Sequence, residues 1–414
     1  MNYVLSIQVK MVRTMSKEET MSKEQASSNT SEKNQRFDEL RVEIDDLDKS
    51  LVQLIAKRLQ VTKEIGEIKS DLDLALYHPE REAELIDNKR AYAKSVGLEP
   101  NLIEDVIRRI IRDSYKSQNA QRTYDKNNEQ KNILVVGGNG QFGQLFVDLF
   151  RKNGENVTVF EKQDSLQSKE NIRNLKQADL VLISVPINVT EIVIKQLAKT
   201  LTELNPKCVL ADVTSIKNKP VEEMLAQHQG PVVGLHPMFG PDIETFAKQT
   251  VAVCHGRQKS EYQWLLDLLD KKGFNLVDVE AKTHDDLMSI IQVLRHLSTV
   301  AYGNHLRHED IDLGKILELS SPIYRLELIM VGRLFAQDPV LYSDIIFSDK
   351  NNVKMIKRFI DRISETLSFV ENGDKESFIQ SFNQTKEWFG EFADKFLSES
   401  HQLIAKAGDS GGGI

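Results

Sequence analysis

The chain has 414 residues, 54 basic and 62 acidic, for a formal net charge of −8. That length allows two or three domains with cores of their own, and the acidic balance argues against a nucleic-acid binder. Only two cysteines occur, Cys208 and Cys254, both in apolar stretches; they exclude a disulfide framework and fit a reducing, cytoplasmic compartment. No apolar run approaches the roughly 18–20 residues that cross a bilayer, and the opening residues do not read as a secretory signal.

Residues 1–35 are polar, and Met15-Ser16-Lys17-Glu18-Glu19 is nearly repeated as Met21-Ser22-Lys23-Glu24-Gln25. This reads as a disordered leader or an overlong start. Helical periodicity follows from Phe37 to about Ser70. Steps of three and four pick out Arg41, Ile44, Asp48, Leu51, Ile55, Arg58, Thr62, Ile65 and Lys69, beside a heptad row of Leu40, Leu47, Leu54, Val61 and Ile68. A strict repeat of this length implies a long, partnered helix of roughly 50 Å. It puts cations on or beside a seam that should be dry. Either they snorkel at its edge, or they line a pocket for a small polyanion.

A second helix opens at Pro79-Glu80-Arg81-Glu82 and runs to about Ser95. A third, capped by Asn101 with Glu104, ends near Gln118. Its Ile107, Ile111, Ser114 and Gln118 share a face, so Ser114 and Gln118 are either helix-end fillers or polar groups of a site. These three helices define an all-helical unit over 36–118.

The segments Leu40-Arg41, Ala56-Lys57-Arg58, Glu67-Ile68-Lys69, Pro79-Glu80-Arg81-Glu82 and Ser114-Tyr115-Lys116-Ser117-Gln118 resemble the all-helical chorismate mutases. The resemblance implies an intertwined homodimer. Arg58, Lys69 and the second copy's Arg41 would bind the two carboxylates of chorismate. Lys69 and Gln118 would flank the ether oxygen, and Arg81, Glu82 and Ser114 would hold the hydroxyl and carboxylate side. His78 lies where some relatives carry an acid.

Residues 119–131 are polar and aperiodic, a linker. From 132 to 280, β-rich runs at 133–137, 157–161, 179–185, 208–213, 231–235, 250–254 and 276–279 alternate with helical ones, which predicts a doubly wound α/β sheet. Its first turn carries Gly138-x-Gly140-Gln141-Phe142-Gly143 between a strand and a helix, and the next strand ends on Glu161, 18 residues past the last glycine. This is a dinucleotide fingerprint: glycines and helix N-terminal N–H groups face a pyrophosphate, and the acid accepts from a ribose. Glu161 favours NAD over its 2′-phosphorylated form. No metal is called for.

Three further segments carry chemistry. Asp212-Val213-Thr214-Ser215 ends a strand, and Leu235-His236-Pro237-Met238-Phe239-Gly240-Pro241 follows the next. His236 is placed either as a proton acceptor or as a histidine bonding its own loop. From 281 to 405 all reads as helix, with breaks near Asp310, Pro339 and Gly373, and residues 406–414 are a flexible tail. Within this part Ser320-Ser321-Pro322-Ile323-Tyr324-Arg325-Leu326-Glu327 leads to Arg333 on the same face; the two arginines either pair with Glu318 and Glu327 or bind a carboxylate. His296 lies on an apolar helical stretch.

These segments resemble prephenate dehydrogenases, and the chain from 37 to about 400 resembles the bifunctional chorismate mutase/prephenate dehydrogenases of bacterial tyrosine synthesis. The resemblance implies that chorismate is rearranged to prephenate, which is oxidised by NAD and loses CO2 to give 4-hydroxyphenylpyruvate. His236 would take the ring hydroxyl proton and Ser215 would orient it. Arg333 would bind a carboxylate, Arg325 and His296 would line the pocket, and the C-terminal helices would form a dimer interface. Tyrosine is often a feedback inhibitor in this family. Two rival readings, a hydroxyacid or 6-phosphogluconate-type dehydrogenase with an unrelated helical arm and a non-catalytic NAD-responsive regulator, leave the cation row unexplained.

Overall fold

A computed structural model of the chain describes residues 2–72, 74–121 and 129–409. Most of the expected linker (122–128) and the end of the expected tail (410–414) lie outside the described residues. The chain forms two compact units, one of Met1–Leu72 with His78–Gln121 and the other of Asp73–Tyr77 with Arg122–Ile414.

The first unit is all helical: α1 (Asn2–Asp71), α2 (Pro79–Ser95) and α3 (Pro100–Gln121). Helix α1 runs through residues 2–35, which composition alone reads as an unstructured leader. No glycine or proline precedes Gly66 to break the helix. Ile86, Ala93, Ile110 and Ile111 are buried between the helices, whereas Leu40, Leu47, Leu51, Leu54 and Ile68 of α1 are exposed. Gly66 lets α3 cross closely, because a Cβ there would meet Gln118 Cγ at 2.7 Å.

The second unit alternates strands and helices as the pattern predicts: β1 (Asn132–Val136), α4 (Gln141–Lys152), β2 (Asn156–Phe160), α5 (Lys169–Gln177), β3 (Leu180–Ile183), α6 (Ile187–Leu204), β4 (Val209–Asp212), α7 (Asn218–Gln227), β5 (Val232–Pro237), β6 (Thr250–Arg257), α8 (Lys259–Lys271) and β7 (Asn275–Asp278). The sheet order is β2-β1-β3-β4-β5-β6-β7. Neighbours from β2 to β5 pair in parallel, β6 reverses against β5, and β7 follows β6 in parallel.

Strand alternation sorts the core into two layers. Ile133, Val135, Leu180 and Leu182 face α4 and α8, packing on Phe146, Phe150, Tyr262 and Leu265. Leu134, Val181 and Ile183 face α5, α6 and α7, packing on Leu175, Ile194 and Met224. The crossover from β2 through β1 to β3 opens a crevice at the strand C-termini, where open α/β sheets bind ligands.

The remainder is helical: α9 (Ala281–Met288), a π-helical turn (Ser289–Leu294), α10 (Arg295–His308), α11 (Leu313–Leu319), α12 (Pro322–Phe335), α13 (Pro339–Phe347), α14 (Lys350–Glu371), α15 (Lys375–Phe389) and α16 (Glu391–Asp409). The expected breaks fall where Asp310 and Gly373 adopt positive φ and where Pro339 starts α13. A further break at Gly390, also at positive φ, separates α15 from α16. The core of this region is small, built on Val293, Ile345 and Met355. Large apolar side chains remain outside, including Leu319 at 89% and Phe347 at 84% exposure. No described helix is long and apolar enough to cross a membrane.

Candidate active sites

In the helical unit, a pocket of about 140 Å³ is lined by Arg58, Thr62, Lys69, His78, Arg81, Glu82, Leu85, Ile111, Ser114, Tyr115 and Gln118. All the residues expected there meet except Arg41. Arg58 and Lys69 reach it from α1, 11 residues and thus about three turns apart. Ser114 and Gln118, one turn apart on α3, face them. Arg58 Nη1 donates to Ser114 Oγ at 3.3 Å, and Ser114 Oγ donates back to Ile110 O at 2.8 Å. Gln118 Nε2 donates to Thr62 O at 3.0 Å, and its Oε1 is buried without a partner. These bonds tie the two polar residues to α1, so they are not helix-end fillers.

Glu82 is buried at the base of α2, where it accepts from Tyr115 OH at 3.0 Å and Arg108 Nη1 at 3.4 Å. Arg81 pairs with Glu84 at 2.7 Å and keeps its guanidinium in solvent. Burial draws the Arg58 guanidinium down from its ordinary value; arginine stays charged regardless. The pocket therefore concentrates cationic donors around a small volume, as a dianion requires. Arg41 lies 17 residues before Arg58, about 25 Å along α1. Its guanidinium rests 4.1 Å over the Phe37 ring and 3.9 Å from Asp38.

In the second unit, the turn after β1 has the shape a dinucleotide phosphate needs. Gly137 adopts φ +79°. A Cβ on Gly138 would meet Val159 Cγ1 at 2.8 Å, and one on Gly143 would meet Gly137 O at 2.1 Å. No side chain caps the start of α4 at Gly140, so the Gln141, Phe142 and Gly143 end of the helix faces outward with its partial positive charge. The Phe142 ring itself packs inward on Phe239, with centroids 5.8 Å apart. Glu161 follows β2, and its Oε1 accepts from Asn139 N at 2.8 Å, which puts the acid beside the glycine turn.

His236 ends β5 on the same edge of the sheet, 3% exposed. Its Nδ1 lies 2.8 Å from His284 Nε2, and Gln292 Nε2 approaches its Nε2 at 3.3 Å. His284 Nδ1 lies 2.7 Å from Asp285 Oδ1. Burial, then the neighbouring His284 and Lys217, holds the His236 imidazole neutral well below the ordinary histidine range. It is therefore not a histidine that simply bonds its own loop. Under it, Lys217 is fully buried and donates to Asp212 Oδ2, which also accepts from the Thr214 hydroxyl.

Ser215 lines a cavity of about 280 Å³ with Asp285, Gln292, Asn352 and Arg358 among its walls. Arg333, on α12, pairs with Asp242 at 3.3 Å, in the loop six residues past His236. Asp242, not Glu318 or Glu327, which are nearer in sequence, is thus the carboxylate it meets. Arg325 lies half-buried on the same helix. His296, on α10, packs edge-on against Tyr342 with centroids 4.8 Å apart; its Nδ1 is buried without a partner, and burial lowers it to about 4.

Sequence reasoning missed His284, Asp285, Gln292 and Lys217. A signal for Lys217 existed, two residues past the strand-end motif. His284 and Gln292 are 48 and 56 positions from His236, and only the π-helical turn brings both to its ring.

Comparisons with known proteins cover both units. The family model for chorismate mutase type II matches residues 40–119. Those for the prephenate dehydrogenase nucleotide-binding and dimerization domains match 152–276 and 280–384. The chain is 48% identical to a T-protein of Enterobacter agglomerans over 90% of its own length and 98% of that protein. It is 43% identical to a T-protein of Haemophilus influenzae over 90% and 97%. Its fold is shared with prephenate dehydrogenase from Aquifex aeolicus, solved with hydroxyphenyl propionate and NAD+, at 19% identity and a TM-score of 0.50, covering 64% of this chain and 100% of that one. The chain belongs to the T-protein family, bifunctional enzymes of tyrosine biosynthesis that join chorismate mutase to prephenate dehydrogenase.

Proposed function

We propose that the two reactions use the two pockets separately, chorismate rearranging in the helical unit and prephenate being oxidised at the sheet edge. The mutase step is pericyclic and needs no nucleophile. It needs a site that holds a folded dianion and stabilises charge at one oxygen. Arg58 and Arg41 of a second copy bind the carboxylates. Lys69 and an N–H of Gln118 meet the ether oxygen. Arg81, Glu82 and Ser114 hold the opposite side, Glu82 being oriented by Tyr115 and Arg108. The position of Arg41, far along α1 from Arg58, supports a homodimer in which each site takes one arginine from the other copy.

For the dehydrogenase, the dinucleotide is NAD. Gly138, Gly140, Gln141, Phe142 and Gly143 would hold its pyrophosphate, and Glu161 would accept from a ribose hydroxyl. Bound there, NAD supplies the hydride acceptor, and loss of CO2 makes the ring aromatic. His236 takes the hydroxyl proton of prephenate on Nε2, with Ser215 orienting that hydroxyl. Arg333 exchanges Asp242 for a substrate carboxylate, and Arg325 and His296 line the pocket. The compartment is cytoplasmic, and tyrosine is the expected feedback inhibitor.

The observation that carries the reading of the second site is His236, buried at a strand end and held neutral by its surroundings. The test uses Lys69→Ala and His236→Asn in the full chain, with chorismate followed by ultraviolet absorbance and NADH by its own band. Lys69→Ala stops prephenate formation while supplied prephenate is still oxidised. His236→Asn does the reverse and still binds NAD. Loss of both activities in each variant refutes separate sites.

A further inference from the structure

Behind His236 runs a chain of polar groups, two buried rings ending on a partly exposed carboxylate, that the proposed reaction has not used. It ends on Asp285, whose Oδ1 accepts from Lys217 N at 2.8 Å and whose Oδ2 accepts from Asn218 N at 2.9 Å. Both donors are main-chain groups at the start of α7, where the helix N-terminus also favours an anion. Asp285 is thus fixed as a carboxylate, and a carboxylate can only accept.

That fact propagates through two rings. Since Asp285 only accepts, His284 Nδ1 carries a proton and donates to it across 2.7 Å. At the other end of the chain, the Gln292 amide nitrogen, which can only donate, approaches His236 Nε2 at 3.3 Å, so that Nε2 carries the lone pair. The proton of a neutral His236 is then on Nδ1, which donates to His284 Nε2 across 2.8 Å. The rings stand edge-on at 72°, with 3% and 1% exposure, so neither can turn into solvent to exchange tautomers.

We propose that His284 and Asp285 are positioning residues for the dehydrogenase: they fix the tautomer of His236 so that Nε2 is the basic nitrogen, and they stabilise the imidazolium formed when it takes the substrate proton. The inference rests on His236 as the base. The proton leaves the ring hydroxyl of prephenate and arrives on Nε2, while the Nδ1–H bond to His284 stays in place. The new positive charge then faces an acceptor that is itself bonded to a carboxylate. No group in the chain has to reorient during the step, which is how an oriented carboxylate serves a catalytic histidine elsewhere. A purely structural pair would satisfy buried polar atoms without affecting turnover.

The test uses the full chain with prephenate and NAD, and the variants His284→Leu, His284→Gln and His236→Asn. Leucine removes the acceptor for His236 Nδ1–H. Turnover should fall about 100-fold or more, the scale of general-base assistance, while KM for prephenate and for NAD stay within about threefold. Glutamine can offer Oε1 where His284 Nε2 stood, so His284→Gln should recover at least about tenfold over His284→Leu. In the unmutated protein, nitrogen NMR of labelled histidines should find His236 protonated on Nδ1 and bare on Nε2, a readout that stands even if the leucine variant does not fold. The inference is overturned by wild-type turnover in His284→Leu, by no recovery in His284→Gln, or by a proton on His236 Nε2. If His236→Asn itself turns over like the wild type, the base assignment fails; if only the His284 variants do, the relay alone fails.

Discussion

Gly143→Ala puts a methyl group 2.1 Å from Gly137 O and 2.8 Å from Gly138 Cα. Both neighbours are main chain, so no side chain can swing aside. Ordinary contact begins near 3.4 Å, and the turn must therefore open by about 1.3 Å, moving the N-terminus of α4 off the end of β1. A displacement of about 1 Å in a group that positions a reactant costs on the order of 100-fold. The kcat/KM for NAD should fall by about that factor, roughly 2.7 kcal/mol of transition-state binding. The assay is initial NADH formation at saturating prephenate with NAD varied, and chorismate consumption by the same preparation is the control, since the pocket proposed for the mutase lies wholly in the other unit. A kcat/KM for NAD within threefold of wild type, with mutase activity intact, would refute the glycine turn as the pyrophosphate cradle.

Two further expectations rest on particular side chains. Arg41→Ala and Lys69→Ala should each abolish mutase activity alone; co-refolded as a mixture, half the dimers are hybrids, each with one intact site, so about a quarter of wild-type activity should return, and no recovery with hybrids confirmed by native mass would rule out an arginine donated in trans. Stability should decline from pH 6.5 to 5, above the carboxylate range, because His236, His228 and His296 are all held below the ordinary histidine value in the fold. The unfolded chain takes up protons that the folded chain refuses, at about 1.4 kcal/mol per pH unit for each fully buried histidine; a calorimetric Tm that stays level across that window would contradict it.

The parts of this molecule legible in its sequence are those imposed by backbone geometry or by a local repeat. The Gly138–Gly143 turn is one, because a Cβ at Gly138 or Gly143 would collide with its surroundings. The seven strands are another, because alternation must match two helical layers. The cations of α1 stood out because charge on an apolar seam needs an explanation, and Arg58 and Lys69 do converge with Ser114 and Gln118. What stayed hidden was pairing over long separations. Arg333 bonds Asp242, 91 positions away, although Glu327 offered a nearer anion. His284 looked like one more residue of a helical run until its ring was found against His236. A linear pattern records which face a residue takes, not which distant atom that face meets.

The π-helical turn at Ser289–Leu294 has a geometric consequence. An α-helix advances about 100° per residue, so His284 and Gln292, eight residues apart, would point about 80° apart on a regular helix. Yet they clasp the two nitrogens of one imidazole. A π-turn carries one residue more than the α-turn it replaces, which returns about 100° of rotation and leaves the pair within about 20° of one line. The inserted residue therefore works as a phase correction, a three-dimensional reading frame for the helix. Deleting one residue between His284 and Gln292 would let the turn close as an ordinary α-turn, with the pair seven residues apart and still within about 20° of one line. Regularising the turn with every residue kept would instead carry Gln292 about 100° off the His236 ring.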